Sequence, residues 1–333
     1  MNAKQTILVT GGAGYVGSAL VPRLLQQGWT VRVFDLFWYG ERVFAEANDH
    51  PALQLVKADI RDQGVVRQAC AGVEAVIHLA CISNDPSFEL NPQLGKSINL
   101  DAFPGLVQAA QAAGVRRFIY ASSSSVYGIR PEPEVREDAP KTPLTDYSLF
   151  KLQCEEMLMA AADGGMTKII VRPATLCGYA PRMRFDLTVN ILTIQALVSG
   201  RIRILGGAQF RPNLNILDMV RAYELLLTAP PEKVQGIPFN VGYQNYSVAA
   251  IAQMVKQTLA DEKIELDCVP SNDTRSYRIN SDRIREQLGF APRHSVEEAV
   301  HIIAEAYRQG RLAEPLTNPL YYNIKRMQQL GAR

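Results

Sequence analysis

Apolar residues gather in short unbroken runs through the first half of the chain, and between the runs they recur at helical spacing. The runs Thr6-Ile7-Leu8-Val9-Thr10, Thr30-Val31-Arg32-Val33-Phe34, Leu53-Gln54-Leu55-Val56, Ala75 to Ala80, Arg117-Phe118-Ile119-Tyr120 and Lys168-Ile169-Ile170-Val171-Arg172 have the length and β-branched content of strands. The first and fourth are apolar on both faces, as in a parallel sheet covered by helices on each side. Leu20, Val21, Leu24 and Leu25 place a helix over Ser18 to Gln27, with Gly28 as its stop and Pro22 early enough to be tolerated. Further helices are expected from Ile98 to Ala113, before Gly114, and from near Tyr147. Strands alternating with helices over short connections predict an α/β fold with a doubly wound parallel sheet through about residue 175.

Beyond that point the rhythm breaks. Pro181 to Asp186 is irregular, Leu187 to Val198 reads as a helix closed by Gly200, and Phe239-Asn240-Val241 reads as a short strand. Amphipathic segments follow at Val248 to Leu259, Asp282 to Leu288 and Val296 to Tyr307. The expectation is a cofactor domain over 1–175, with part of 212–242 returning to it, and a smaller interleaved substrate domain over 176–211 and 243–333.

Composition narrows the class without choosing a function. With 333 residues, 47% hydrophobic and 20% charged, the chain reads as an ordinary globular enzyme. A formal charge of +2, with no basic and aromatic cluster, gives nucleic acid no electrostatic footing. No apolar run approaches a membrane span and no leader pattern precedes Thr6, so no membrane partner is expected. Cys70, Cys81, Cys154, Cys177 and Cys268 are scattered without metal-ligand spacing, which reads as reduced thiols in the cytoplasm and no metal.

Chemistry concentrates where strands end. Thr10-Gly11-Gly12-Ala13-Gly14-Tyr15-Val16-Gly17 joins the first strand to the first helix, where glycines permit a tight turn and a close backbone approach to a diphosphate at the helix N-terminus. The bland alternative, a plain turn, does not account for Asp35 at the end of the second strand, where a carboxylate would accept the hydroxyls of an adenosine ribose and repel a 2′-phosphate. Leu36 to Pro51, with Trp38 and Tyr39, lies either over the adenosine or on the surface. Tyr147 and Lys151 stand four apart on one helical face, and a cation beside a phenol moves it toward use as a base. Tyr321 and Lys325 repeat the spacing, and are read as coincidence or a solvated helix face. Ser123 is placed to share a substrate oxygen with Tyr147, or simply to cap its turn. Arg182 and Arg184 are either anion ligands or solvated surface charges, and His78 reads as a packed strand residue.

Taken together, the Thr10–Gly17 loop, Asp35, Asp59-Ile60, His78-Leu79-Ala80, Ser123 before Val126-Tyr127-Gly128, and Tyr147 with Lys151 resemble the extended short-chain dehydrogenase/reductases. The nearest group is the NAD-dependent nucleotide-sugar epimerases and dehydratases, which use a Rossmann domain. The resemblance covers the first 175 residues well and the rest loosely. It implies a homodimer, a nucleotide-diphosphate sugar as substrate, and NAD held by Gly11, Gly14, Tyr15, Val16, Asp35, Asp59, Ile60, Leu79, Ala80, Asn99, Tyr147, Lys151 and Pro173. It gives Tyr147, Lys151 and Ser123 the catalytic roles, oxidising the sugar to a 4-keto intermediate. Substrate contacts are expected at Ser83, Ser124, Ser125, Thr175, Arg182, Asn190, Arg211 and Arg275. The 4,6-dehydratases carry a carboxylate pair, and the decarboxylases a glutamate, where this chain has Ser124 and Ser125. Thr175 also replaces the family's usual asparagine, and Phe150 its usual small residue before the lysine. C4 epimerisation is therefore expected. The alternatives are a reductase or a C3 or C5 epimerase, then a 4,6-dehydratase, and outside catalysis an NAD-binding sensor or scaffold.

Overall fold

The computed structural model describes residues 5–83, 85–162, 164–271 and 276–331. In chain order, β1 (Thr6–Thr10) leads into α1 (Tyr15–Gln26), β2 (Thr30–Asp35), β3 (Leu53–Lys57), α2 (Gln63–Cys70) and β4 (Ala75–His78). Short helices α3 (Asp85–Leu90) and α4 (Pro92–Lys96), a π turn and α5 (Phe103–Ala112) then return to β5 (Arg117–Ala121). A 3-10 turn at Ser124–Tyr127 precedes α6 (Asp146–Ala160), β6 (Thr167–Pro173) and β7 (Thr175–Cys177). The remainder runs α7 (Thr188–Ser199), β8 (Arg201–Leu205), β9 (Phe210–Asn215), α8 (Ile216–Thr228), α9 (Pro231–Val234), β10 (Pro238–Val241) and β11 (Gln244–Ser247). It closes with α10 (Val248–Leu259), β12 (Glu265–Val269), α11 (Asp282–Leu288), α12 (Val296–Arg308) and α13 (Asn323–Gln329).

Seven strands form one parallel sheet in the order β10-β6-β5-β4-β1-β2-β3. Its centre is dry: Ile7, Leu8, Val9, Val76 and Ile77 are fully buried. These are the runs without polar interruption, and burial on both faces is what that pattern requires. By contrast, β3 is an edge strand and leaves Leu55 exposed. The winding reverses between β1 and β4, which opens a crevice at their carboxyl ends. Of the strands from the second half, β10 joins this sheet beside β6, while β7, β9 and β11 form a three-stranded sheet and β8 and β12 pair with each other.

Two polar devices fix the end of β5. Glu155, two turns along α6 from Tyr147, holds Arg172 of β6 through two parallel bonds of 2.9 and 2.6 Å, and also accepts from Ser122. Arg172 further donates to the Tyr127 hydroxyl at 2.8 Å, and Tyr127 donates to Asn240 of β10 at 2.7 Å. This buried network sets where the turn after β5 can lie.

Candidate active site

One cavity follows the crevice from the glycine turn to α6. At one end each glycine has a distinct job. Gly11 has φ +70°, and a Cβ there would lie 2.5 Å from the Ala80 nitrogen. At Gly17 a Cβ would lie 2.3 Å from the Gly12 carbonyl oxygen, so this glycine lets α1 pack onto the turn. Gly14 meets nothing nearer than the Gly11 oxygen at 3.1 Å, and it forms open floor. Immediately beyond it α1 begins with no side-chain cap, leaving its first amides for a ligand. Asp35 accepts from the amides of Ala13 at 3.0 Å and Phe37 at 2.7 Å. Burial raises its carboxyl above the ordinary range against the pull of those amides. The two oxygens together offer about four acceptor sites, more than these amides occupy. Tyr15, Val16, Asp59, Ile60, Leu79 and Ala80 complete this end.

At the other end, β5 delivers Ser123 and α6 delivers Tyr147 and Lys151. Thr145 caps α6 in a capping box with Ser148, which sets the helix start and so the direction of Tyr147. The Ser123 hydroxyl accepts from the Ser125 amide at 3.1 Å and from its hydroxyl at 2.9 Å, capping the 3-10 turn. Lys151 is 5% exposed; its ammonium donates to the Ala121 carbonyl at 2.7 Å and lies 5.8 Å from the Tyr147 ring centroid. The expected lowering of the phenol by Lys151 is corrected here. Burial, with Cys81 and Asp85, raises Tyr147 well above its ordinary range, and the opposing pull comes from Arg184 and the Ser123 hydroxyl. Desolvation of a phenolate outweighs a cation whose ammonium is already bonded to a carbonyl. Pro173, Thr175, Ser83 and Ser124 line the same end.

Between β7 and α7, Arg182 and Arg184 turn inward rather than to solvent. Arg182 is 4% exposed, stacks 3.5 Å from the centroid of Tyr39, and donates to Asn323. The loop after β2, with Trp38 and Tyr39, thus forms part of the cavity wall. Asn323 also accepts from the Tyr39 hydroxyl at 3.0 Å and donates to the Ser83 hydroxyl at 2.8 Å. The reading of Tyr321–Lys325 as coincidence or a solvated helix face is corrected in its second half. α13 starts only at Asn323, and Tyr322 and Asn323 are less than a tenth exposed. Asn323, Met327, Tyr277 and Tyr223 also line the cavity. Nothing in local spacing marks them, because they reach the cavity only through tertiary packing.

Four expected ligands lie outside the cavity lining. Asn99 braces the loop after β4, exchanging bonds of 2.8 and 2.9 Å with the Ile82 backbone. Asn190 is fully buried and ties Gly178, Tyr15 and Arg184 together. Ser125 faces Ser123, and Arg211 lies on β9, donating to the Phe210 carbonyl. A polar residue near a ligand site and one that holds such a site together look alike in sequence. Arg275 falls outside the described residues. His78 is 3% exposed, pairs with Thr10 at 2.6 Å, stacks near Tyr120, and is pushed down to about 3 by burial, so it is a packing residue. Among the described residues no three His, Cys, Asp or Glu side chains converge on a metal position.

Residues 7–242 match the model of the NAD dependent epimerase/dehydratase family. The chain belongs to that family. It is 37% identical over 201 residues to the protein y4nG of Sinorhizobium fredii, covering 59% of this chain and 48% of that one, so it spans about half the length of y4nG. It is 29% identical over 317 residues to the UDP-glucose 4-epimerase of Azospirillum brasilense, covering 88% of each. The structure superposes with a TM-score of 0.85 on DesIV, a dTDP-glucose 4,6-dehydratase from Streptomyces venezuelae solved with NAD, at 25% identity over 94% of this chain and all of that one. Membership makes NAD the cofactor of this protein. The residues present suit it: the open floor at Gly14, the uncapped start of α1 and the spare acceptor sites of Asp35 match a diphosphate followed by a ribose. No helix is long and apolar enough to cross a membrane among the described residues.

Proposed function

We propose that the protein inverts the C4 centre of a nucleotide-diphosphate sugar through a transient 4-keto sugar, retaining and recycling NAD. The observation that carries this reading is the turn after Ser123. Ser124 lines the cavity and lies 3.4 Å from the Tyr277 hydroxyl, and Ser125 bonds Ser123, so among the described residues this edge offers hydroxyls and no carboxylate. Expelling a 6-hydroxyl calls for an acid and a base there.

In this mechanism the Tyr147 phenolate takes the proton of the C4 hydroxyl and becomes a phenol, then returns that proton to the oxygen when the hydride comes back, and the Ser123 hydroxyl favours the phenolate form in which the cycle begins and ends. Lys151 is held near the Tyr147 ring by the Ala121 carbonyl. NAD, when bound, supplies the hydride acceptor and donor. The roles of Gly11, Gly14, Asp35 and Pro173 in holding it are part of the same proposal.

One observation favours dehydration as a second reading: Asp85 lines the cavity, and its charge reaches Tyr147. Its Oδ1 accepts from Thr145 at 2.7 Å, an arrangement that suits positioning of α6. Incubating the purified protein with UDP-, GDP-, CDP- and dTDP-sugars without added cofactor, and following products by NMR, separates the two. A product of unchanged mass and inverted C4 is expected, and loss of water would sink the epimerase reading.

Two broader assignments accompany this one. The cofactor domain over 1–175 is completed by β10, which supports the interleaved division into two domains. A cytoplasmic homodimer is read from five free cysteines and from the outer face of α6, which leaves Leu149, Met157 and Met159 exposed. Light scattering at about twice 36.9 kDa checks the dimer.

A further inference from the structure

The first turn of α1 is bonded to a loop far along the chain. Tyr15, the first residue of α1, donates its hydroxyl to the Gly178 carbonyl at 2.6 Å, across 163 positions of sequence. The same hydroxyl accepts from Asn190 Nδ2 at 3.2 Å, and Asn190 Oδ1 accepts from the Gly178 amide at 3.0 Å. Asn190 Nδ2 also donates to the Arg184 carbonyl at 2.9 Å. One turn along α1, the Ser18 hydroxyl donates to the Tyr15 carbonyl at 3.1 Å and accepts from the Arg182 amide at 3.1 Å. Tyr15, Ser18 and Asn190 are at most 5% exposed, so water does not compete for these bonds. Gly178 has φ +109°, a backbone form that other residues rarely adopt, and it gives both its amide and its carbonyl to the junction. Burial pushes the Tyr15 phenol up, so it stays a neutral donor.

These bonds join two walls of one cavity. Gly14, Tyr15 and Val16 line it from the glycine turn, and Arg182, Arg184 and Leu187 line it from the loop between β7 and α7. The turn is the least self-sufficient part of α1. It follows Gly11, Gly12 and Gly14 and has no side-chain cap, so its first amides depend on a ligand or on water.

We propose that Tyr15 and Ser18 are positioning residues that couple two ligands: NAD on the first turn of α1 fixes the loop 178–187, and the nucleotide-diphosphate sugar therefore binds more tightly to the NAD-loaded protein than to the cofactor-free one. Only the second ligand rests on the nucleotide-sugar reading of the cavity. Without the cofactor the uncapped turn opens locally, and the loop bonded to Tyr15 and Ser18 loosens with it. A diphosphate on those amides keeps the turn closed. The loop has then lost its freedom before the sugar arrives, so the sugar meets a wall already in place.

Hydrogen exchange read by mass spectrometry, on cofactor-free protein with and without saturating NAD, tests the coupling in the absence of any sugar. Peptides covering 178–187 are expected to exchange about tenfold or more slowly with NAD, measured relative to peptides of α10. Tyr15→Phe removes one hydroxyl and should shrink that protection to about threefold or less. A hydroxyl with a merely structural role would lower the melting temperature and leave the protection ratio unchanged. No protection by NAD in the wild type, or full protection in Tyr15→Phe, overturns the proposal. Should that variant not fold, Ser18→Ala takes its place under the same criteria. Calorimetry then titrates UDP-glucose, GDP-mannose, CDP-glucose and dTDP-glucose into both forms of the wild type. At least one is expected to bind about tenfold more tightly to the NAD-loaded form, and Tyr15→Phe should bring that preference toward one. Equal affinity of a bound nucleotide sugar for the two forms overturns the coupling. If none of the four binds either form, the nucleotide-sugar reading fails by itself, and hydrogen exchange alone decides whether NAD fixes the loop.

Discussion

Tyr147 and His78 show how burial sets what a side chain does. Both sit at carboxyl ends of the sheet, yet Tyr147 lines the cavity and His78 lies behind it. Replacing Tyr147 with Phe removes the proton carrier and little volume. Turnover is expected to fall by about 10²- to 10⁴-fold, while NAD released from the denatured protein stays equimolar with the chain. His78 makes a prediction about stability. Its folded value is about 3 against an ordinary 6.5, so below 6.5 the unfolded chain binds a proton that the folded chain refuses. Stability from this group is complete above pH 6.5 and falls by about 1.4 kcal/mol per unit as pH drops toward 3. Urea unfolding at pH 7 and pH 5 should show the loss, and His78→Leu should flatten that part of the profile.

Two junctions between elements carry the geometry of the cleft. A methyl group at Gly17 meets the Gly12 carbonyl at 2.3 Å, so Gly17→Ala must push α1 away from the turn. NAD affinity is expected to fall by at least about tenfold, equivalent to about 1.4 kcal/mol, with the melting temperature also lowered. Fluorescence titration of cofactor-free protein measures it. At the far end, Glu155→Gln strands the Arg172 guanidinium, which is 2% exposed. Removing one partner of such a pair costs about 3–5 kcal/mol, readable as a shift in the denaturant midpoint. The same change should slow turnover, because Glu155 also fixes Ser122 beside Ser123.

On the scale of the whole molecule, the cavity is closed by segments far apart in the chain. Asn323 links Tyr39, Ser83 and Arg182, and Arg326 donates to the Trp38 carbonyl, so α13 fastens the loops after β2 and β4. Ending the chain at Tyr322 removes these bonds, each worth about 1 kcal/mol, and is expected to speed release of NAD by about tenfold or more. Exchange against labelled NAD measures the rate, and an unchanged rate would show that α13 does not retain the cofactor. The sequence by itself determined the parallel sheet, the glycine turn followed by Asp35, and the pairing of Tyr147 with Lys151, because each follows from local periodicity or from a short fixed offset, whereas Ser123 stands on another element and joins that pair through the family resemblance. Tertiary structure alone decided that Asn99 and Asn190 brace loops and do not line the cleft, and that Arg182 and Arg184 face inward. It also brought Asn323 across the fold to Tyr39 and Ser83. The physical reason is that a polar side chain's role depends on which distant element packs against it, and no spacing within its own segment encodes that contact.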